Sequence, residues 1–125
     1  MRLLLDSHAA LWWLSDPEKL SDEARLAVAS IENEVYLSSA SLWEIHLKAG
    51  KGKLNIPPSL IDALSEQEID ELKITWKHTE RTRTLPLIHL DPFDRLLIAQ
   101  AQEEGLTLVT RDELIQQYKE PTIKA

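Results

Sequence analysis

The chain contains no cysteine, and this absence removes several kinds of chemistry at once. Disulfide bonds, thiolate nucleophiles and zinc sites built on cysteine are all excluded. A chain without disulfides fits a reducing compartment. We therefore expect a cytoplasmic protein that is held together by its hydrophobic core.

Long apolar runs are also missing. The longest one, Ala9 to Leu14, is far shorter than the roughly 20 residues that a membrane-spanning helix needs. The first residues lack the basic, apolar and small-residue order of a signal peptide. Both observations predict a protein with no membrane partner.

Glycine and proline are sparse, with 3 and 6 residues, whereas 43% of the chain is hydrophobic and 28% is charged. This composition is typical of a compact globular protein rather than a disordered or fibrous one. A chain of 125 residues buries roughly two-thirds of its unfolded surface, which is enough for one core. With no repeat or linker visible, we expect a single domain over residues 1–125.

The charge balance is acidic, with 21 acidic residues against 14 lysines and arginines and a net charge of −7. Affinity for nucleic acids usually comes from cationic groups, so this balance does not by itself predict a nucleic-acid partner. Clustered carboxylates that hold a divalent cation nevertheless present positive charge to a phosphate. The net charge therefore leaves both kinds of function open.

Strand and helix signals alternate along the chain. The strand signals are Leu3 to Leu5, "EVYLSS", "DELKIT", "LTLVT" and "PTIKA". The helix signals are "SHAALWWLSDP", "LSDEARLAVASIEN", "ASLWEIHLKAGKGKL" ending at Gly50 or Gly52, "PPSLIDALSEQE", "WKHTERTRTL", "DPFDRLLIAQAQEEG" and "DELIQQY". Alternation with few hairpin signals predicts crossover connections. The predicted fold is therefore α/β, with a mostly parallel sheet covered by helices on both faces.

Two aspartates directly follow the strands that look most buried. Asp6 comes after the first strand, and Asp112 comes just after "LTLVT". Ligand sites of open α/β sheets lie beyond the carboxyl ends of the strands, so we expect both acids at one sheet edge. Each also fits a helix cap, although Ser7 could cap the first helix in place of Asp6.

Asp91 and Asp94 are predicted to have different roles, because their side chains point in different directions. Asp91 stands before Pro92, which is the ordinary arrangement of an N-cap and the first helical residue. At 100° per residue, Asp94 lies within about 60° of the apolar Leu97 and Ile98. Asp94 is therefore predicted to point inward, and a buried carboxylate needs a partner, a proton or a metal.

Glu44 becomes a candidate only in the company of the other acids. On its own, Glu44 with Lys48 four residues later reads as a solvated pair on a helix surface. Four acids from four segments at one sheet edge would repel unless a divalent cation lay among them. Mg²⁺ and Mn²⁺ prefer carboxylate and water oxygens, and such a site suits phosphodiester hydrolysis.

The histidines and tryptophans receive ordinary structural interpretations. His8, His46, His78 and His89 show no metal-ligand spacing and are read as polar or capping residues. The adjacent Trp12 and Trp13 cannot face the same way on a helix. One of the two is therefore predicted to be exposed, as a contact between subunits.

Four blocks of the chain resemble PIN domains, specifically the VapC-like toxins of type II toxin-antitoxin systems. The blocks are "LLLDSHAALWWL", "SSASLWEIHLKAGKGKL", "HLDPFDRLLIAQA" and "LVTRD", which together span nearly the whole chain. The resemblance implies a parallel five-stranded sheet and a Mg²⁺- or Mn²⁺-dependent ribonuclease site. It further implies a homodimer and an antitoxin partner whose peptide segment blocks the acidic groove.

The resemblance also implies roles for individual residues. The acidic positions of the family match Asp6, Glu44, Asp94 and Asp112, and its hydroxyl positions match Ser7 and Thr110. The implied reaction is in-line attack of a metal-bound water on an RNA phosphodiester, with these acids holding the cation. The candidate phosphate contacts are Lys48, Lys51, Lys53, Arg95 and Arg111.

Two alternatives have different functions. A receiver domain shares the length and an acidic Mg²⁺ pocket, but it needs paired acids after the first strand and a phosphoacceptor Asp after a central one. Here the first strand ends in one acid and "EVYLSS" ends in serines. A catalytically silent PIN-like binding module would be favoured by a missing acid, and all four are present.

Overall fold

Five strands separated by helices and short turns make up the computed structural model, which describes residues 1–52 and 56–125. The strands are β1 (Arg2–Leu5), β2 (Glu34–Ser38), β3 (Ile69–Leu72), β4 (Thr107–Thr110) and β5 (Thr122–Lys124). The helices are α1 (Ser7–Ser15), α2 (Asp22–Ala29), α3 (Ser39–Gly50), α4 (Leu60–Glu66), α5 (Trp76–Arg81) and α6 (Pro92–Glu104). Lys53, one of the predicted phosphate contacts, lies outside the described residues.

The strands form one sheet in the order β3-β2-β1-β4-β5, and all neighbouring pairs run parallel. The predicted parallel five-stranded sheet is therefore confirmed. This order differs from the 2-1-3-4-5 order of receiver domains, so the receiver alternative is wrong. The chain moves from β1 toward β3 on one side and then returns to place β4 on the other. A crevice is expected where this direction reverses, at the carboxyl ends of β1 and β4.

The central strand β1 is buried on both faces, which its apolar run predicted. Leu3 and Leu5 pack with residues of α1 to α4, whereas Leu4 packs on the opposite face with Leu97 and Ile98 of α6. Side chains alternate along a strand, so successive leucines enter different halves of the core. Helices therefore cover both faces of the sheet, as predicted.

Two predicted helices are shorter than their sequence patterns indicated. The segment "DELIQQY" forms only a 3-10 turn at Ile115–Gln117, because Tyr118 turns inward and its hydroxyl donates to the Pro86 carbonyl at 2.8 Å. The helix predicted over "WKHTERTRTL" ends at Arg81 and tightens into a 3-10 turn at Thr82–Thr84. Among the described residues, no helix has both the length and the apolarity that crossing a membrane requires.

The prediction that either Trp12 or Trp13 is exposed is wrong. Both side chains are partly buried against the core. The guanidinium carbon of Arg111 lies 4.4 Å from the centroid of the Trp12 ring. The centroids of the His8 and Trp12 rings are 5.8 Å apart. An exposed tryptophan is found elsewhere, at Trp43 on α3, with 60% of its surface accessible.

Arg95 of α6 fastens the segment before that helix. Its Nη1 donates to the carbonyls of Pro86 and His89, both at 3.0 Å. Its Nη2 donates to the carbonyls of Thr82 and Leu85, at 3.0 and 3.3 Å. The guanidinium thus has a structural role at the backbone of this segment, and the phosphate contact expected of Arg95 from the sequence stays a prediction.

Replacing Arg95 with methionine should lower the free energy of unfolding by about 1.5 to 3 kcal/mol, because hydrogen bonds from a charged donor to several carbonyls are lost. Urea denaturation measures this difference. Arg83→Met is the matched control, since Arg83 is an exposed arginine in the 3-10 turn at Thr82–Thr84, within the segment that Arg95 binds. Equal losses in the two variants would contradict the assigned role of Arg95.

Candidate functional site

An acidic cleft of about 390 Å³ opens at the carboxyl ends of β1 and β4, where the chain direction reverses. Residues from several segments line it. Its acids are Asp6, Glu44, Asp91, Asp94 and Asp112. The structure therefore brings together the four acids that the sequence selected, along with the capping Asp91.

Asp6 both begins a helix and faces the cleft. Its Oδ1 accepts the backbone N–H of Ala9 at 2.8 Å, and its Oδ2 accepts the Thr110 hydroxyl at 2.6 Å. Burial raises the pKa of Asp6, and the hydrogen bonds from Thr110 and Ala9 oppose that rise. The sequence left open whether Ser7 caps this helix in place of Asp6; the structure gives the cap to Asp6.

Ser7 binds the carboxylate of Glu44. Its hydroxyl donates to Oε1 of Glu44 at 2.6 Å, while Nζ of Lys48 lies 3.8 Å from Oε2 of the same side chain. The side chain of Glu44 is only 16% exposed. The helical pair of Glu44 and Lys48 is thus present, but its acid is turned into the cleft rather than toward solvent.

Asp94 stands in the first turn of α6, directly under the cap. Oδ1 of Asp91 accepts the Asp94 backbone N–H at 3.1 Å, which confirms Asp91 as the N-cap. The Asp94 side chain is 26% exposed, and its Oδ2 lies 3.0 Å from Nε2 of His89. Burial raises the pKa of Asp94 to about 7; the charges of Asp91, Glu44 and Asp112 add to the rise, and His89 opposes it.

Asp112 also has a structural and a cleft-facing oxygen. Its Oδ1 accepts the backbone N–H groups of Leu114 and Ile115, at 2.8 and 3.4 Å, which explains its cap-like sequence context. Its Oδ2 lies 2.9 Å from Nε2 of His89. Burial acts to raise the pKa of Asp112, but the hydrogen bonds from His89 and the two backbone N–H groups outweigh it and lower the pKa.

The positions of His8, Trp12 and His89 at the site were missed from the sequence, and His89 makes the closest contacts with the acids. Its Nδ1 accepts the Asp91 backbone N–H at 3.1 Å, so its interpretation as a capping residue holds. Its Nε2 also lies between Asp94 and Asp112. The only available signal was its place two residues before the N-cap of an acid-bearing helix, because its partner Asp112 is 23 residues away.

The donor set fits a hard divalent cation. Oxygens from four carboxylates face one cleft, and such cations prefer oxygen ligands. Burial raises the pKa values of Asp6 and Asp94, and the charges of neighbouring acids add to the rise. Donor atoms of His89, Asp94 and Asp112 lie within 4.8 Å of one another. A cation at this place would relieve the repulsion.

The predicted phosphate contacts separate into two groups. Lys48 and Arg111 line the cleft, although Arg111 also donates to the backbone carbonyls of Ala125 and Lys19. Lys51 is an exposed residue at the end of α3 and is not among the described residues that line the cleft. The structure thus brings Lys48 and Arg111, but neither Lys51 nor Arg95, to the acids.

The sheet order and the carboxylate cleft at its reversal point define an α/β protein with a candidate divalent-cation site. The chain belongs to the PIN domain family, whose family model matches residues 3–121. The resemblance seen in the sequence is thereby confirmed.

Individual relatives match this chain over nearly its whole length and theirs. The chain is 30% identical to Ribonuclease VapC22 of Mycobacterium tuberculosis over 122 residues, which cover 95% of this chain and 93% of the relative. VapBC2 from Rickettsia felis, solved with a DNA fragment from its promoter, matches with a TM-score of 0.71, 16% identity and 98% coverage of both chains. A toxin-antitoxin complex from Klebsiella pneumoniae matches with a TM-score of 0.64 and 20% identity, over 98% of this chain and 96% of that one. At these identities the solved structures show a shared fold.

Asp94→Asn should stabilise the cation-free protein at high pH. The pKa of Asp94 rises from 3.8 to about 7 on folding, so the stability it contributes is complete below about pH 4 and is lost as the pH rises through 7. The variant should therefore be more stable than the wild type at pH 8, by on the order of 2 to 4 kcal/mol, with a smaller difference at pH 5. Urea denaturation with chelator present measures both.

Asp62→Asn is the matched control for this comparison. Asp62 occupies the same position after its cap in α4, where its N–H donates to Ser59, but Asp62 is exposed. This variant should show little change at either pH. A wild type and an Asp94→Asn variant of equal stability at pH 8 would contradict the burial of an unfavourable charge.

Proposed function

We propose that this chain is a metal-dependent endoribonuclease and the toxin of a type II toxin-antitoxin module, folded as one domain over residues 1–125. The observation that carries the proposal is the convergence of Asp6, Glu44, Asp94 and Asp112 on one cleft in a PIN-family chain. The ribonuclease activity named for the relative at 30% identity supports the same substrate class. Cytoplasmic location, where RNA is made and used, belongs to this proposal.

The four acids would hold Mg²⁺ or Mn²⁺, which when bound would draw in the scissile phosphate and make water a better nucleophile. Ser7 and Thr110 prepare the site by fixing the carboxylates of Glu44 and Asp6 through their hydroxyl groups. A carboxylate oxygen of the cleft would take the proton of the attacking water. Preset carboxylates need no rearrangement during the reaction, which lowers its barrier.

Binding of the RNA backbone would fall to Lys48 and Arg111. Both side chains line the cleft, and Arg111 is held over the Trp12 ring. Two cations at the rim of an otherwise acidic cleft would place the phosphates beside the carboxylates. Because the net charge of the chain is −7, binding should depend on the cation and on these local contacts rather than on overall charge.

The proposed protein partners are a second copy of this chain and an antitoxin. An exposed apolar surface lies next to the cleft, where Trp43 and Phe93 stack edge to face at 5.5 Å and Leu90 is 74% exposed. Apolar surface of this kind suits a protein contact. The structural relatives include toxin-antitoxin complexes, which supports an antitoxin partner. This antitoxin would cover the acidic groove.

The purified protein should cleave RNA with Mg²⁺ or Mn²⁺, and cleavage should fall below detection with a chelator or with Asp94→Asn. Structured and unstructured RNAs, resolved on denaturing gels, provide the measurement. Asp91→Asn is the matched control on the same helix, because asparagine also caps and should preserve cleavage. Cleavage that survives both chelation and Asp94→Asn would contradict the metal site. A folded protein that cleaves no RNA would indicate a silent binding module.

The antitoxin should be a small protein with a DNA-binding N-terminal part, encoded immediately upstream of this chain. Adding it in equal amount should abolish cleavage, because its bound segment would occupy the cleft. Addition of the antitoxin without that segment is the control and should leave cleavage intact. Undiminished cleavage in a formed complex would contradict the proposed blocking of the groove.

A further inference from the structure

We infer that His89 is a positioning residue of the cleft, whose Nε2–H holds the carboxylates of Asp94 and Asp112 together without itself binding the cation. The inference rests on the proposed divalent-cation site and deepens it. Its starting observation is that one nitrogen lies 3.0 Å from Oδ2 of Asp94 and 2.9 Å from Oδ2 of Asp112. The acids come from different parts of the chain, and this ring is their common neighbour.

The other ring nitrogen decides which atom carries the proton. The backbone N–H of Asp91 donates to Nδ1 of His89 at 3.1 Å, so Nδ1 offers its lone pair. A neutral imidazole with an accepting Nδ1 carries its proton on Nε2. That nitrogen then has no lone pair for a metal ion; its N–H donates to Oδ2 of Asp112 and carries positive charge to within 3.0 Å of Oδ2 of Asp94. The short distances to Asp94 and Asp112 therefore mark a hydrogen-bond donor rather than a third ligand.

The backbone around His89 holds the ring in place. Its N–H donates to the Tyr118 hydroxyl at 2.7 Å, and its carbonyl accepts from Nη1 of Arg95 at 3.0 Å. The Tyr118 hydroxyl in turn donates to the Pro86 carbonyl at 2.8 Å. The side chain of His89 is 11% exposed. The donor is thus fixed before any ligand arrives.

This arrangement has a direct consequence for cation binding. Two carboxylates that would repel one another are held at one N–H donor. The imidazole lies against Oδ2 of Asp94, and this leaves Oδ1 for a cation. Groups that orient metal ligands in this way change metal affinity by about 10- to 100-fold when they are removed. Loss of the His89 donor should therefore weaken cation binding while the four acids remain.

Two substitutions of His89 separate the role of its Nε2–H donor from the role of its Nδ1, which accepts the Asp91 N–H. His89→Gln keeps an N–H donor near the place of Nε2 and alters the contact with Asp91. His89→Asn keeps an acceptor near the place of Nδ1, which preserves the contact with the Asp91 N–H, and removes the donor. The pair therefore distinguishes positioning of the carboxylates from a purely structural contact at the helix start.

Titration of the chelator-treated protein with Mn²⁺, followed by calorimetry, measures the effect. We expect His89→Asn to bind Mn²⁺ about 10- to 100-fold more weakly than the wild type and His89→Gln to stay within a few-fold of it. Normal affinity in His89→Asn, with or without a loss in His89→Gln, would overturn the inference. RNA cleavage, measured in parallel, should follow the same order.

Two measurements on the wild type need no substitution of His89. Nitrogen-detected NMR of the imidazole should show the proton on Nε2, and a proton on Nδ1 would overturn the inference. Pulsed electron paramagnetic resonance of the Mn²⁺-loaded protein should show no directly bound nitrogen, and a nitrogen ligand that disappears in His89→Gln would also overturn it.

Failure of the proposed function would look different. Absence of Mn²⁺ and Mg²⁺ binding to the wild type, with no RNA cleaved, would overturn the cation site and this inference with it. Cation binding and cleavage that are unaffected in His89→Asn would overturn only the inference about His89.

Discussion

Removal of negatively charged carboxylates from water is the constraint around which the rest of the structure is arranged. Asp6, Glu44, Asp94 and Asp112 meet in one cleft, and without a cation each negative charge raises the cost of its neighbours. Three of these carboxylates have a side-chain hydrogen-bond donor: Thr110 for Asp6, Ser7 for Glu44 and His89 for Asp112. Nε2 of His89 also lies 3.0 Å from Oδ2 of Asp94. The donors offset part of the cost, and the raised pKa of Asp94 shows that a cost remains.

The parallel sheet brings these acids together with few special features. Asp6 follows β1 and Asp112 comes shortly after β4, and these neighbouring strands end at the same edge. The chain then uses the same residues twice, because one oxygen of Asp6 caps α1 and one oxygen of Asp112 accepts the backbone N–H groups of Leu114 and Ile115. Capping fixes the direction of the side chain, so the second oxygen is left facing the cleft. Helix initiation and site geometry are therefore coupled.

The segment before α6 is held by side chains outside the cleft. The Tyr118 hydroxyl accepts the backbone N–H of His89, and the Arg95 guanidinium donates to the His89 carbonyl. Their hydrogen bonds convert a stretch without regular secondary structure into a rigid support. Stability and function pull in opposite directions at Asp94, since its buried charge disfavours the fold while a cation would require that charge.

The sequence by itself determined the five strands, most of the helices and the direction of Asp94. Strand runs, caps and helical periodicity depend on residues within about four positions, so the Asp91 cap, a helix end at Gly50 or Gly52 and the buried β1 were all predictable. Membership of the PIN family followed from four sequence blocks. Only the tertiary structure decided that Glu44 turns inward, that Arg95 binds backbone and that His89 meets Asp112. Those contacts join distant segments, and local patterns carry no information about which segments will pack together.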